Sequence, residues 1–109
     1  MFARVVEATV KPERKEEAQN LVQNEIMPLV KKQTGFVDAL GITEENNPHQ
    51  VLSLTFWKSK EEADRFYRNN REYQQLVERV RPMLATELRI RTGNVEYSSI
   101  HRIAAGKAA

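Results

Sequence analysis

The residues best placed to do chemistry lie in one short stretch, SLTFWKSK, at residues 53–60. Trp57, the only tryptophan, ends an apolar run and directly precedes a charged helix start. Ser53 shares its strand face, because strand residues two or four positions apart point the same way. An indole N–H and a hydroxyl on one face could line a cleft for an organic ligand. A large aromatic residue at a strand end can equally plug the rim of a core, so both interpretations of Trp57 stay open.

Composition argues against several other kinds of site. The chain has 109 residues and no cysteine, which removes disulfides, thiolate-bound zinc, iron–sulfur clusters and cysteine nucleophiles. Its two histidines, His49 and His101, are far apart in sequence, and neither has a second strong ligand at helical spacing. We therefore predict no metal site.

The charge pattern argues against a nucleic acid or a membrane as partner. The formal net charge is +2, and 17 basic residues are interleaved with 15 acidic ones, which is typical of solvated helix faces. No apolar stretch has the length of a membrane span, and the N-terminus becomes polar too early for a signal peptide. The sequence thus predicts a cytoplasmic protein.

The first half of the chain predicts a strand followed by a long helix. The β-rich segment FARVVEATV ends before Pro12, a residue that can open a helix. Pro28 should kink the helix near its end, and Gly35 should supply a left-handed stop. Apolar residues recur at helical spacing between these points: Ala18, Leu21, Val22, Ile26, Leu29 and Val30.

The second half predicts a hairpin, a broken helix and a last strand. Two β-rich runs flank a polar loop at residues 44–50, and the capping-box spacing of Ser59 and Glu62 predicts a helix that begins at Lys60. Its apolar pattern is loosened at residues 69–70 and ends before Pro82. The last strand should be bent or bulged near Gly93.

The order β-α-β-β-α-β is the ferredoxin-like α+β arrangement, with both helices on one face of an antiparallel sheet. We expect one domain at residues 1–100 and a frayed C-terminal tail at 101–109. Leu52, Leu54 and Phe56 point away from the Trp57 face, so a monomer would expose a large apolar surface. The sequence therefore predicts a symmetric homodimer that packs sheet to sheet.

The motifs FWKSKEEADRF and IMPLVKKQTGFV, taken with this element order, resemble the antibiotic biosynthesis monooxygenase-like family of dimeric α+β barrel proteins. The resemblance spans roughly Phe2 to Tyr97. Members include cofactor-free oxygenases that turn phenolic or hydroquinone-like substrates into quinones, and haem-degrading enzymes. It implies a homodimer that uses no cofactor and oxidises a small aromatic or quinol-type substrate with dioxygen.

The resemblance also implies a site. In the quinone-forming members a tryptophan at a W-x-S junction lines the cleft, and Trp57 matches it. The family pattern has an asparagine where this chain has Ser53, and a tyrosine where it has Ala63. Ser53 could donate a hydrogen bond to a phenolic oxygen, and Tyr67 could supply the missing phenol. The predicted catalytic residues are therefore Trp57, Ser53 and Tyr67.

Haem chemistry does not fit the residues. At the positions where the haem-degrading members carry an asparagine, a second tryptophan and a histidine, this chain has Val6, Phe66 and Leu76. None of these side chains can hold iron as an axial ligand, so we expect no haem oxygenase activity.

Two other hypotheses about the function stay open. The same cleft could recognise a small ligand without catalysis, or the chain could be a structural dimer with a filled core. A proton-handling residue facing Trp57 would favour the enzyme, whereas a purely apolar lining would favour a binding protein. Glu7, in an apolar strand, should be paired with Arg4, Arg89 or Arg91 rather than act as a base.

Overall fold

A four-stranded sheet is the centre of the computed structural model, which describes residues 1–101. Its strands lie in the order β2-β3-β1-β4, and every neighbouring pair is antiparallel. The strands are β1 (Phe2–Thr9), β2 (Phe36–Thr43), β3 (Gln50–Trp57) and β4 (Arg89–Asn94). This arrangement confirms the predicted ferredoxin-like α+β fold. The predicted tail lies outside the described residues apart from His101, and the domain boundary stays a prediction.

The connection from β1 to β2 is one helical run with a widened turn inside it. A 3-10 turn (Pro12–Arg14) leads into α1 (Lys15–Leu21), a π segment (Val22–Ile26) and α2 (Met27–Lys31). Pro28 has no N–H, and its ring crowds the carbonyl four residues earlier. The π segment relieves that crowding, because the Met27 N–H bonds the Val22 carbonyl, five residues back. The predicted disturbance at Pro28 thus takes the form of a π turn just upstream.

The turn into β2 depends on Gly35, which has φ of 89° as predicted for a left-handed helix stop. A Cβ at this position would overlap the Glu62 carboxylate. Gly35 is therefore required both by its backbone angle and by the close approach of Glu62.

The connection from β3 to β4 consists of two helices, as the sequence predicts. Ser59 caps α3 (Lys60–Asn69) by accepting the Glu62 N–H at 3.2 Å. Asn70 caps α4 (Arg71–Val80) by accepting the Tyr73 N–H at 2.8 Å, and a 3-10 turn (Arg81–Met83) ends the run. No helix among the described residues has the length and apolar character needed to cross a bilayer.

The helices cover one face of the sheet, which we call the helix face. Directly opposite strand residues share a face, so the pairs Phe2 with Trp57 and Arg4 with Thr55 lie on it. The buried core includes Phe2, Val10, Ala18, Leu21, Ile26, Leu29, Val30, Trp57, Ala63, Phe66, Leu76, Val80 and Met83. The other side includes Leu40, Ile42, Leu52, Leu54 and Phe56. No helix of residues 1–101 lies over it, and we call it the open face.

The sequence predicted that the last strand is bent or bulged near Gly93, and the bulge is wrong. β4 pairs with β1 in unbroken register, and Gly93 lies opposite Ala3. The irregular pairing occurs instead in β2, between Phe36 and Asp38.

Candidate functional site

Trp57 fills the junction between β3 and α3 and is completely buried, with 0% exposure. Its ring stacks on Phe66 at 5.8 Å between centroids, and it meets Phe36 and Tyr67 edge to face at 5.8 and 5.4 Å. Such aromatic contacts stabilise the cluster beyond the area that they bury. In this arrangement Trp57 is a packed wall of the site, and its ring has no surface open to solvent.

The indole N–H of Trp57 is satisfied inside the protein. Trp57 Nε1 donates to Oγ1 of Thr55 at 3.1 Å, and the same oxygen lies 2.9 Å from the Tyr67 hydroxyl. Thr55 itself is buried, at 4% exposure. Since a hydroxyl has one proton and two lone pairs, Thr55 can serve both neighbours at once. The three side chains form one hydrogen-bonded chain from β3 to α3.

Tyr67 is the titratable member of the hydrogen-bonded chain that it forms with Thr55 and Trp57. Burial raises the pKa of its phenol above the ordinary 10.0, although the Thr55 hydrogen bond and the charge of Arg4 act in the opposite direction. The phenol is therefore protonated at neutral pH. Tyr67 suits the role of hydrogen-bond donor to a developing oxyanion rather than that of a general base.

Arg4, on β1, lies directly beside Tyr67. Its guanidinium carbon is 3.7 Å from the centre of the Tyr67 ring, and its Nη1 lies 3.4 Å from the Tyr73 hydroxyl. The sequence offered Arg4 as one of three alternative partners of Glu7, and the structure does not pair the two. Positions 4 and 7 differ by an odd number, so they point to opposite faces of the strand.

Glu7 lies on the open face and is paired as the other two alternatives predicted. Its Oε2 lies 3.8 Å from Arg89 and 3.4 Å from Arg91, and its Oε1 accepts a hydrogen bond from Gln50 at 2.9 Å. These partners are all outside the helix face. Glu7 therefore contributes no base to the candidate site.

Ser53 is half-buried on the helix face, two positions from Thr55 along β3. It lies opposite Val6 of β1 and Gly41 of β2. No atom lies within 4 Å of the point where a Gly41 Cβ would stand, so there is open space on this side of the sheet next to Ser53. Ser53 and Arg4 are diagonal neighbours across the two strands, about 7 Å apart by ordinary sheet geometry.

The structure thus gathers the predicted residues Trp57, Ser53 and Tyr67 onto the helix face, with Thr55 and Arg4 added. The alternation of side chains along β1 places Arg4 on the helix face, because Arg4 is two residues from buried Phe2. Ala63, where the family pattern has a tyrosine, is a buried core residue at 1% exposure.

The other titratable candidates lie elsewhere. His49 lies in the hairpin loop, where its backbone carbonyl accepts the Val10 N–H at 2.8 Å. His101 lies 3.4 Å from Asp38 and packs beside Phe56 on the open face. Within residues 1–101 no three of the His, Cys, Asp and Glu side chains are grouped closely enough to hold a metal ion.

Two surface grooves lie away from the candidate site. One, of about 550 Å³, runs between the acidic side of α1 and Arg79. The other, of about 340 Å³, is on the open face around Glu7 and Arg89. Neither is lined by Trp57, Ser53 or Tyr67.

Known structures share this fold over most of their length. A conserved protein from Methanosarcina mazei is 26% identical, with a TM-score of 0.74 over 85% of this chain and 91% of that one. SnoaB, a cofactor-independent oxygenase from Streptomyces nogalater, is 12% identical, with a TM-score of 0.79 over 90% of this chain and 95% of that one. The ActVA-Orf6 monooxygenase of Streptomyces coelicolor, solved with nanaomycin D, is 15% identical, with a TM-score of 0.76 over 89% of this chain and 88% of that one.

The two sequence comparisons give different results, because a family model matches this chain and no curated protein does. None of the curated proteins is significantly similar to this chain. The model of the antibiotic biosynthesis monooxygenase family matches residues 1–79, which include β1 to β3, α3 and most of α4. With its fold and its W-x-S junction in place, the chain belongs to the antibiotic biosynthesis monooxygenase family.

Proposed function

We propose that this protein is a cofactor-independent monooxygenase that oxidises a small aromatic or quinol-type substrate with dioxygen. The observation that carries the proposal is the Tyr67 hydroxyl, held by Thr55 at 2.9 Å on the same sheet face as half-buried Ser53. Family membership supports an oxygenase, and two structural neighbours are described as a cofactor-independent oxygenase and a monooxygenase.

The chemistry can proceed without a resident redox group, because the substrate supplies the electrons. In the simplest case, a methylene between two aromatic rings becomes a carbonyl. One atom of O₂ becomes the carbonyl oxygen, and the other leaves as water with the two methylene hydrogens. The four electrons that reduce O₂ come from the methylene carbon, so no external reductant is needed. The protein has to favour the ionised substrate and exclude water.

Each predicted residue has a distinct part in this proposal. Ser53 and Tyr67 donate hydrogen bonds to the substrate oxygens on which negative charge develops. Trp57 does not expose its ring, so it acts as a rigid wall, and its N–H holds the Thr55 hydroxyl in place. Trp57 is therefore a positioning residue, while Ser53 and Tyr67 are the proposed catalytic ones.

A specific observation also favours the second candidate, a non-catalytic small-ligand-binding or stress-associated dimer. A raised phenol pKa makes Tyr67 a poor base, and a protein that only recognises a ligand needs no base. The two candidates predict the same binding residues and differ in oxygen consumption.

The deciding experiment measures oxygen consumption by metal-stripped protein with a panel of anthrones, hydroquinones and catechols. We expect uptake above the autoxidation rate, reduced roughly tenfold or more by Tyr67→Phe and by Ser53→Ala, since each loses a hydrogen bond to a charged oxygen. Trp57→Phe should also lower it. Tyr97→Phe, a matched change at a tyrosine that is 69% exposed, should leave uptake unchanged.

Substrate-dependent uptake that none of the three site variants lowers would contradict the assignment of these residues. If no substrate gives uptake above the autoxidation rate while the folded protein binds the same aromatic compounds, the binding-protein candidate replaces the oxygenase.

The homodimer is part of the same proposal. Leu40 and Ile42 are 48% and 45% exposed on the open face, and the neighbouring Leu54 and Phe56 are half-buried. Glu7 is already paired with arginines at one end of this face, so its charge is balanced within the chain. A second copy placed sheet to sheet would remove the apolar rows of both chains from water.

A further inference from the structure

Arg4 differs from the other arginines of the sheet. Arg89 and Arg91 lie on the open face within 3.8 and 3.4 Å of Glu7. Arg4 lies on the helix face and is half-buried, and it makes no ion pair within residues 1–101. A cation that is partly removed from water without a carboxylate partner is unfavourable unless something else compensates its charge.

The Tyr67 ring compensates the positive charge of the Arg4 guanidinium on one side only. The Tyr67 ring lies 3.7 Å from the guanidinium carbon, which is a cation–π contact, and Tyr73 offers one hydroxyl at a long 3.4 Å. Arginine has five N–H donors. Among the described residues the buried side-chain atoms without a partner are His49 Nδ1 and Glu62 Oε2, so the remaining nitrogens of Arg4 reach solvent. They are available to a ligand.

The tyrosines also hold the guanidinium in one orientation. Tyr67 and Tyr73 are in edge contact at 5.1 Å between ring centroids, and Tyr67 is fixed in turn by its 2.9 Å hydrogen bond to Thr55. A planar fork held in this way is ready to bind two oxygens of a carboxylate or one phenolate oxygen without further ordering.

The surface beside Arg4 suits an aromatic ring. Val6 is the next residue of β1 on the helix face, with Ser53 opposite it and open space over Gly41 beyond. A ring lying over Val6 would direct an oxygen substituent towards Arg4 and a second polar group towards Ser53. The apolar floor and the two polar ends together match an aromatic compound that carries negative charge at one end.

We infer that Arg4 is the anion-binding residue of this site and that the ligand is an aromatic oxyanion, a carboxylate or a phenolate, rather than a neutral aromatic compound. The inference rests on the proposed function for the location of the site, and it adds the charge class of the substrate. A neutral ligand would displace water from the cation without supplying a charge in return, so it would bind more weakly.

The test uses two redox-inert probes, 2-naphthoate and 2-naphthamide, which have the same ring and differ in charge. Calorimetric titration of the wild-type protein should show naphthoate binding at least roughly tenfold tighter than naphthamide. Arg4→Gln should weaken naphthoate roughly tenfold to a hundredfold, the range of a hydrogen bond to a charged group, and should change naphthamide less than about threefold. Arg4→Lys should fall between, because it keeps the charge and loses the fork.

The controls separate charge recognition from folding. Arg65→Gln makes the same charge change on an exposed position of α3 and should leave both probes unaffected. Near-ultraviolet circular dichroism of each variant reports whether the aromatic cluster around Tyr67 is intact. If Arg4→Gln loses that signal, the folded Arg4→Lys variant carries the test: equal loss of both probes would overturn the inference.

Other outcomes distinguish this inference from the proposed oxygenase activity. Equal affinity of the wild-type protein for the two probes, no binding of either, or naphthoate binding that Arg4→Gln leaves unchanged would overturn the role of Arg4, whether or not oxygen is consumed. Charge-selective binding that depends on Arg4, in a protein that consumes no oxygen with any substrate, would keep the anion site and remove the oxygenase.

Discussion

Thr55 determines what the neighbouring aromatic residues can do. Its Oγ1 accepts the Trp57 N–H at 3.1 Å and lies 2.9 Å from the Tyr67 hydroxyl, and these are the contacts that fix both rings relative to β3. An indole N–H that is fully buried needs such a partner, because leaving it unpaired costs the full desolvation penalty of the donor. Thr55 thus supplies the partner that the indole N–H needs on the face where strand alternation places Trp57.

We predict that Thr55→Val lowers the free energy of unfolding by about 1–3 kcal/mol, because it leaves the Trp57 N–H without a partner in a nearly isosteric site. Urea denaturation followed by tryptophan fluorescence measures the change. Thr92→Val, the same substitution at an exposed position of β4, should stay within about 0.5 kcal/mol of the wild-type value. Equal effects of the two changes would mean that Thr55 is not the partner of Trp57.

The sequence predicts the position of a site residue where only its neighbours along the chain determine that position. Strand alternation placed Ser53 and Trp57 on one face, as the structure shows. It did not reveal Arg4 as a member of the site, because the contact of Arg4 with Tyr73 joins residues 69 apart in sequence. No local pattern reports which helix residue will lie over a given strand residue.

Caps and turns set the positions of the helices that carry Tyr67 and Tyr73. Ser59 and Asn70 each accept a backbone N–H at the start of a helix, and both residue types are typical N-caps. These elements were predictable, since capping depends on residues three apart. The π segment was not, because Pro28 indicates only that the helix must be disturbed, and the packing of the helix on the sheet decides where the extra residue is placed.

Gly35 joins the first helical run to β2 and gives a prediction at the scale of the element. Gly35→Ala should destabilise the protein by at least about 2 kcal/mol, because it places a side chain at φ of 89° and drives a Cβ into the Glu62 carboxylate. Thermal or urea unfolding measures the loss.

Two further variants separate these causes. Gly35→Ala combined with Glu62→Ala should recover the part of the loss that is due to the carboxylate. It should keep the backbone part and the close approach of the Glu62 Cβ, which lies 2.7 Å from the new Cβ. Gly93→Ala, where no atom lies within 4 Å of the new Cβ, should change stability by less than about 1 kcal/mol. If Gly35→Ala were as mild as Gly93→Ala, the close approach of Glu62 would not constrain the turn.

The two faces of the sheet have different roles in the molecule. The helix face holds the candidate site and the core, whereas the open face has apolar rows on β2 and β3 that none of the described helices covers. The sequence predicted this division, because apolar residues at both parities of one strand require two covered faces. It could not name what covers the second face, since the pattern of one strand indicates burial and not the surface that buries it.

A single charge placed on the open face tests the proposed homodimer. In sedimentation equilibrium we expect the wild-type chain at twice its mass of 12.6 kDa. Leu40→Glu should weaken association at least roughly a hundredfold, because sheet-to-sheet packing would bury an unpaired carboxylate. Ile90→Glu is the matched control, since Ile90 is 50% exposed against 48% for Leu40 but lies on the helix face.

A wild-type monomer at micromolar concentration, or a Leu40→Glu variant as dimeric as Ile90→Glu, would mean that the open face serves another purpose. A shift confined to Leu40→Glu would place the second copy over β2 and β3, on the side of the sheet opposite the helices and the candidate site.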